Sequence, residues 1–256
     1  MDSALLRALR PKPFRGDVVA AGVVVLTTLV WVVSTRFDEA WGPGAHVAYA
    51  GVAWAFVTLL AVLAPMEGDA PRAYQSVLYV ASIALFVDLV LQLGRLLGSD
   101  GALSSAGTTT WVMAAIAVFA LAFATRRNSA VSTLIGALAG GGAVIGAVWW
   151  IWDPSGLATF RWVLLALTVV YGFAAIGQRD RRLRHGVALI DAAGLAVLAI
   201  SASFLLDDFF GDGEPITGVA WGWELLILAT GFGLIAYSSV DRQPGPAYLG
   251  VLNLVA

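Results

Sequence analysis

Long apolar runs separated by short polar connections make up most of the chain. Each run approaches the roughly 20 apolar residues that an α-helix needs to cross about 30 Å of hydrocarbon. The runs lack the polar/apolar alternation of a membrane β-barrel, and a helix satisfies its own backbone hydrogen bonds in lipid. We therefore predict eight spanning helices, at residues 18–34, 46–64, 74–93, 108–125, 130–151, 157–176, 186–206 and 218–238.

The composition supports lipid as the solvent. The chain is 59% hydrophobic and only 12% charged, whereas soluble domains carry about 25% charged residues. We predict an all-α fold, a polytopic transmembrane helix bundle, with the lipid bilayer as its partner. The small net charge of -2, without a basic and aromatic run, argues against nucleic acid as a partner.

Basic residues predict the direction of the spans. All but three of the 15 Lys and Arg lie in the N-terminal segment 1–16 or in the connections that follow even-numbered spans. The exceptions are Arg36, Arg95 and Arg161. By the positive-inside rule, the N-terminus and these connections are cytoplasmic. We therefore predict a multi-pass protein of the cell membrane with a cytoplasmic N-terminus.

A tryptophan lies early in each even-numbered span. Trp54, Trp111, Trp162 and Trp223 each follow a connection that contains Asp and Gly, and each precedes an apolar stretch. This pattern predicts four copies of an out-and-back helix pair, stacked as parallel repeats within a bundle segment at 17–245. The predicted hairpins occupy approximately residues 17–66, 73–125, 129–178 and 185–240.

The segment 246–256, PAYLGVLNLVA, is apolar but short. As a helix it would extend about 16 Å, roughly half a bilayer. It is predicted to be an incomplete ninth span or an interfacial segment. A trimmed chain, completion by a partner and a position in the interface remain open as explanations.

The glycine-marked hairpins, as in AWGPGAHVAYAGVAW, resemble bacterial predicted multi-pass membrane proteins of unknown function that are built from repeated helical hairpins. The resemblance covers the layout of the chain and carries no diagnostic motif. It implies a bacterial inner-membrane location and no established activity.

Asp88, Gln92 and Arg95 share one stripe of the third span, because spacings of four and seven residues return to the same helix face. Inserting an ionisable side chain at membrane depth costs about 2.5–3.5 kcal/mol, so its presence within a span indicates a structural or functional role. The stripe predicts either a proton or cation site or an Asp88–Arg95 pair that locks helices together. We favour the pair, because an arginine on the same stripe readily satisfies a single carboxylate.

Two further acids lie within spans. Asp191 lies about one and a half turns inside the seventh span, where Arg184 or His185 is placed to neutralise it. Glu224 follows Trp223 at a position where the other three repeats carry an apolar residue. It is a candidate functional acid, although a position near the outer surface would also let it face water.

The stretch LAGGGAVIGA lies in the middle of the fifth span without a preceding strand or a nearby charge. A phosphate-binding loop is therefore excluded. Gly136, Gly140, Gly142 and Gly146 instead form two small-xxx-small pairs, which predict close helix packing.

No catalytic, cofactor or metal motif is found. By the predicted topology, His46 and His185 lie on opposite sides of the membrane and cannot share a metal ion. The sequence also lacks HExxH, EF-hand and G-x-S-x-G patterns. Asp207, Asp208 and Asp212 offer oxygen ligands for a divalent cation, but such a segment is more often a solvated turn.

Uniform hairpins and few intramembrane charges favour a non-catalytic membrane module: a scaffold, an assembly subunit or the anchor of a larger system. Its partner would be a second copy or another membrane protein. The first alternative is a small-solute or ion transporter or channel that uses Asp88 and Glu224, although secondary transporters tend to show interrupted helices. The second alternative is a membrane enzyme acting on lipid-linked substrates.

Overall fold

A computed structural model of the protein describes residues 15–37, 40–68, 71–99, 104–210, 220–241 and 244–255. Over these residues the chain is helical and contains no strand. Nine helices follow one another in this part: α1 Gly16–Arg36, α2 Pro43–Leu63, α3 Ala73–Leu96, α4 Ala106–Arg127, α5 Ala130–Trp152, α6 Ala158–Arg179, α7 Leu183–Phe210, α8 Trp221–Asp241 and α9 Pro244–Val255.

Helices α1 to α8 are long and apolar enough to cross a membrane. They match the eight predicted spans to within a few residues at each end. The predicted all-α fold class is confirmed, and the chain is a multi-pass membrane protein.

Several predictions concern positions outside the described residues. These positions include most of the basic N-terminal segment and the connection that contains Asp212. The side chains of Asp207 and Asp208 are not described either, so the proposed divalent-cation ligands stay a prediction. The positions in question are 1–14, 38–39, 69–70, 100–103, 211–219, 242–243 and 256.

The chain forms two compact units, Met1–Trp150 and Ile151–Ala256. Consecutive helices pack as hairpins within each unit, most extensively α2 with α3, α6 with α7 and α8 with α9. The boundary between the units falls inside the predicted third hairpin, 129–178. The division into four equivalent repeats stays a prediction.

Helix α3 is the centre of the N-terminal unit. It packs against α1, α2 and α4, and 61% of its apolar stretch is buried. Aromatic rings fill the contact with α2 and α4: the rings of Phe86 and Phe119 stack at 4.3 Å, and the ring of Trp54 lies 5.6 Å from that of Phe86. A 2.7 Å hydrogen bond between Thr58 and Ser82 fixes the same antiparallel register of α2 against α3.

Large apolar side chains also cover the outside of both units. Val18, Val52, Val118, Phe173 and Ile176 each expose about 70% of their surface. In water such surfaces would promote association. Hydrocarbon solvates them at no cost, as expected for helices that face lipid.

The predicted packing glycines of α5 lie against α4, where they differ in the space around them. A Cβ added at Gly146 would stand 3.0 Å from the backbone nitrogen of Thr110. At Gly136 the nearest atoms belong to the flexible side chain of Leu121, at 2.9 Å, and at Gly142 they belong to Met113, at 3.3 Å. Gly140 has ordinary room, with Ala117 at 3.9 Å.

The short helix α9 packs against both α7 and α8 in the C-terminal unit. An added Cβ at Gly250 would stand only 2.7 Å from the carbonyl oxygen of Gly231, so the backbones of α8 and α9 touch. Pro246, Gly250 and Asn253 are buried. The apolar segment predicted at 246–256 is thus a helix docked on its neighbours over the residues described.

The fit of α5 against α4 predicts a contrast between two alanine substitutions. Gly146→Ala should destabilise the protein by about 1–3 kcal/mol, because the new methyl group meets backbone atoms that cannot move aside. Unfolding of the purified protein in mixed detergent micelles measures the difference. Gly140→Ala is the matched control and should leave stability nearly unchanged; equal losses for both variants would contradict the packing described.

Candidate functional site

The Asp88 cluster consists of Ser34, Asp88 and Gln92. All three are at least 95% buried, although Asp88 carries a carboxylate. Its Oδ2 accepts a hydrogen bond from the hydroxyl of Ser34 at 3.1 Å, and its Oδ1 accepts one from the Gln92 amide at 3.2 Å. The Ser34 bond joins α1 to α3, so the cluster connects two parallel helices.

The local helix geometry explains this arrangement. Gln92 follows Asp88 by four residues and therefore lies one turn along the same face of α3. Ser34 lies in the last turn of α1, which packs alongside α3. The structure brings Asp88 into contact with Gln92 on the same helix and with Ser34 on α1, whereas the Asp88–Arg95 pair stays a prediction. Arg95 lies in the last turn of α3 and is half-buried.

Two buried polar atoms at this end of the N-terminal unit have no hydrogen-bond partner. One is Oε1 of Gln92, on the amide that donates to Asp88, and the other is Nε2 of His46. His46 is 2% exposed and lies in the first turn of α2. The register that pairs Trp54 with Phe86 places His46, two turns nearer to the start of α2, level with the last two turns of α3.

A second polar region, the Glu67–Arg127 junction, joins the α2–α3 connection to the end of α4. The backbone N–H of Glu67 donates to the carbonyl of Arg127 at 3.2 Å. The Asn128 side chain donates to the carbonyl of Glu67 at 3.0 Å, and Ser76 donates to the Glu67 carboxylate at 3.1 Å. The Arg127 guanidinium donates to the carbonyl of Ala64.

Asn128 closes α4 in the left-handed conformation, with φ 57° and ψ 36°. Asparagine tolerates this region better than most residues. The turn aims its side chain at the α2–α3 connection. Glu67 itself is only 3% exposed, so the junction is a buried structural contact.

In the C-terminal unit, Arg161 ties α6 to α7. Its Nε donates to the hydroxyl of Ser203 at 2.8 Å, and a second nitrogen donates to the Ser203 carbonyl at 3.0 Å. The guanidinium also lies 3.8 Å from the centre of the Phe204 ring. The charge of Arg161 is thus used in helix packing.

Glu224 lies in the first turn of α8, nearer to the helix start than predicted, and it is exposed. The helix N-terminus favours its negative charge. It lines a cavity of about 390 Å³ with Ser201, Phe204 and Asn253. The amide nitrogen of Asn253 donates to the carbonyls of Gly194 and Leu249 at 3.2 and 2.9 Å, whereas its buried Oδ1 has no partner.

Asp191 lies beside the start of α9. An added Cβ at Gly245 would stand 3.2 Å from its Oδ2, and its buried Oδ1 accepts no hydrogen bond. The N-terminus of α9 provides a favourable dipole for this carboxylate. Asp191 therefore lies against Gly245 of α9. Neutralisation of Asp191 by Arg184 or His185 stays a prediction.

Among the described residues, no group of three or more His, Asp or Glu side chains is placed to hold a metal ion. The polar groups at membrane depth mainly join neighbouring helices within each unit. Sequence reasoning missed Ser34, Arg161's contact with Ser203, and the Glu67–Arg127 junction. The only feature of the sequence that could have indicated Ser34 is its place as a polar residue near the end of an apolar helix.

The Asp88 cluster predicts unequal effects of two substitutions in α1. Ser34→Ala removes a hydrogen bond to a buried carboxylate and should lower the free energy of unfolding by about 1.5–3 kcal/mol. Thr28→Ala removes only an exposed hydroxyl that bonds to the carbonyl of Val24 in its own helix, and it should cost less than about 0.5 kcal/mol. Thermal unfolding in one detergent compares them, and equal stability would contradict the contact's role.

Comparisons of the sequence with protein-family profiles, curated proteins and solved structures gave no match. The resemblance to bacterial hairpin-repeat membrane proteins therefore stays a prediction. What is established about the chain is its architecture: a multi-pass helical membrane protein.

Proposed function

We propose that this protein is a non-catalytic membrane module, acting as a scaffold, an assembly subunit or the anchor of a larger system. The observation that carries the proposal is the use of Asp88, a carboxylate at membrane depth, to hold α1 against α3 through Ser34. A buried polar contact of this kind specifies which helices pack together. The partner of the module would be a second copy of the chain or another membrane protein.

Other polar contacts support the same function. Arg161 binds Ser203 and stacks on Phe204, and Glu67 and Arg127 join a connection to a helix end. These groups face neighbours in the same unit, and exposed apolar side chains cover the outside. Helices joined by polar contacts and covered by an apolar surface suit a component on which other membrane segments assemble.

The cavity lined by Glu224 favours a second candidate, a transporter or channel for a small solute or ion. A carboxylate and an unpartnered amide oxygen lie among apolar side chains there. Such a combination of apolar walls and a few polar groups is typical of small-molecule sites. In this candidate Asp88 and Glu224 would carry the cation or proton.

Flux measurements separate the two functions. For a module, proteoliposomes containing the purified protein should show no protein-dependent movement of protons, sodium, potassium or small cationic solutes, measured with internal fluorescent indicators and radiolabelled solutes. A transporter should show flux that Asp88→Asn or Glu224→Gln reduces by tenfold or more. Flux that either variant lowers, with Asp180→Asn as an unaffected control, would overturn the proposed module.

We propose further that the module lies in the cell membrane with its N-terminus and the Arg-rich α6–α7 turn in the cytoplasm. The chain has no cysteine, so single cysteines can report the side of each connection. Arg181→Cys should react with a membrane-impermeant maleimide only after cells are opened, whereas Leu97→Cys should react on intact cells. The reverse labelling pattern would reject this orientation.

A further inference from the structure

The Asp88 cluster contains more acceptors than donors. Both oxygens of the Asp88 carboxylate accept a hydrogen bond from a neutral side chain, Ser34 or Gln92. The Gln92 Oε1 atom adds a third buried acceptor and has no partner. Buried polar atoms in native proteins are satisfied with few exceptions. A cation bound among these oxygens is one ligand that would satisfy all three buried acceptors at once.

The charge of the cluster indicates the valence of that ligand. Burial of an unpaired carboxylate among apolar helices is expensive, and neutral hydrogen bonds lower this cost without removing the charge. The hydrogen bonds that Asp88 accepts come from Ser34 and Gln92. One positive charge would make the site neutral, whereas a divalent ion would leave a net charge in the bundle.

The available atoms indicate the chemical class of the ligand. The two carboxylate oxygens, the Ser34 hydroxyl and the Gln92 amide oxygen are hard oxygen donors, which suit hard metal cations. The carboxylate oxygens and the Ser34 hydroxyl keep lone pairs that their hydrogen bonds do not use, and the Gln92 oxygen accepts no hydrogen bond. The Gln92 side chain is 95% buried, and its free oxygen belongs to the same amide that contacts Asp88.

We propose that the Asp88 cluster binds a monovalent metal cation, with sodium as its probe. Ser34, on α1, and Asp88 and Gln92, on α3, supply the oxygen ligands. The bound cation stabilises the contact between these two helices. This inference goes beyond the proposed module, because it assigns a ligand to a contact inside it, and it requires no movement of the ion across the membrane.

The site is tested by sodium-dependent stability and binding. The protein in mild detergent is heated in sodium chloride or in choline chloride at equal ionic strength, and binding of ²²Na⁺ is measured by scintillation proximity. A ligand present at 100 times its Kd should raise the Tm by about 5–10 °C. Asp88→Asn should abolish both the Tm rise and the binding. Asp180→Asn, which removes an exposed charge in the α6–α7 turn, should change neither.

A second variant keeps the test valid if Asp88→Asn does not fold. Gln92→Leu retains the carboxylate and most of the side-chain volume but removes the amide oxygen, and it should weaken sodium binding by at least about tenfold. Three results would each overturn the proposal. They are equal Tm values in sodium and choline without ²²Na⁺ binding, wild-type affinity in Gln92→Leu, and an infrared carbonyl band from a protonated Asp88 in saturating sodium.

Discussion

Hydrocarbon offers no hydrogen-bond partner, so a polar side chain at membrane depth is stabilised by the groups that it meets inside the protein. The Asp88 cluster is the most demanding case, because its acid lies at 2% exposure in the most buried helix of the N-terminal unit. Ser34 on α1 donates a hydrogen bond to this carboxylate. The contact between α1 and α3 thus depends on one carboxylate. The Thr58–Ser82 bond and the aromatic rings around Trp54 then fix α2 in the same unit.

Close backbone approach complements these polar contacts. Between lipid-exposed helices, burial of apolar surface gives little net gain, so small residues and direct van der Waals contact become important. Gly146 brings α5 against the backbone of α4, and Gly250 brings α9 against the carbonyl of Gly231. Asn253, also on α9, donates a hydrogen bond to the carbonyl of Gly194 on α7. Steric fit and a few hydrogen bonds thus act on the same helix pairs.

The sequence predicted the spans well and the contacts poorly. Hydropathy alone located all eight spanning helices, because the bilayer fixes their length and composition. The stripe of Asp88 and Gln92 was also predictable, since both lie on one helix and local periodicity places them. Ser34 was not, because it lies 54 residues from Asp88 along the chain and nothing in the sequence states which helices are neighbours. The same holds for Asp191 beside Gly245 and for Glu67 beside Arg127, where the partners meet only through tertiary structure.

The bond between Ser34 and Asp88 has a consequence for biogenesis. Because a chain is synthesised from its N-terminus, α1 and its serine leave the ribosome before α3. Helix α3 carries Asp88 and Gln92 into lipid, and pairing with α1 offsets part of that insertion cost. The helix that is synthesised first, α1, therefore carries the hydrogen-bond donor that lowers the cost of inserting α3.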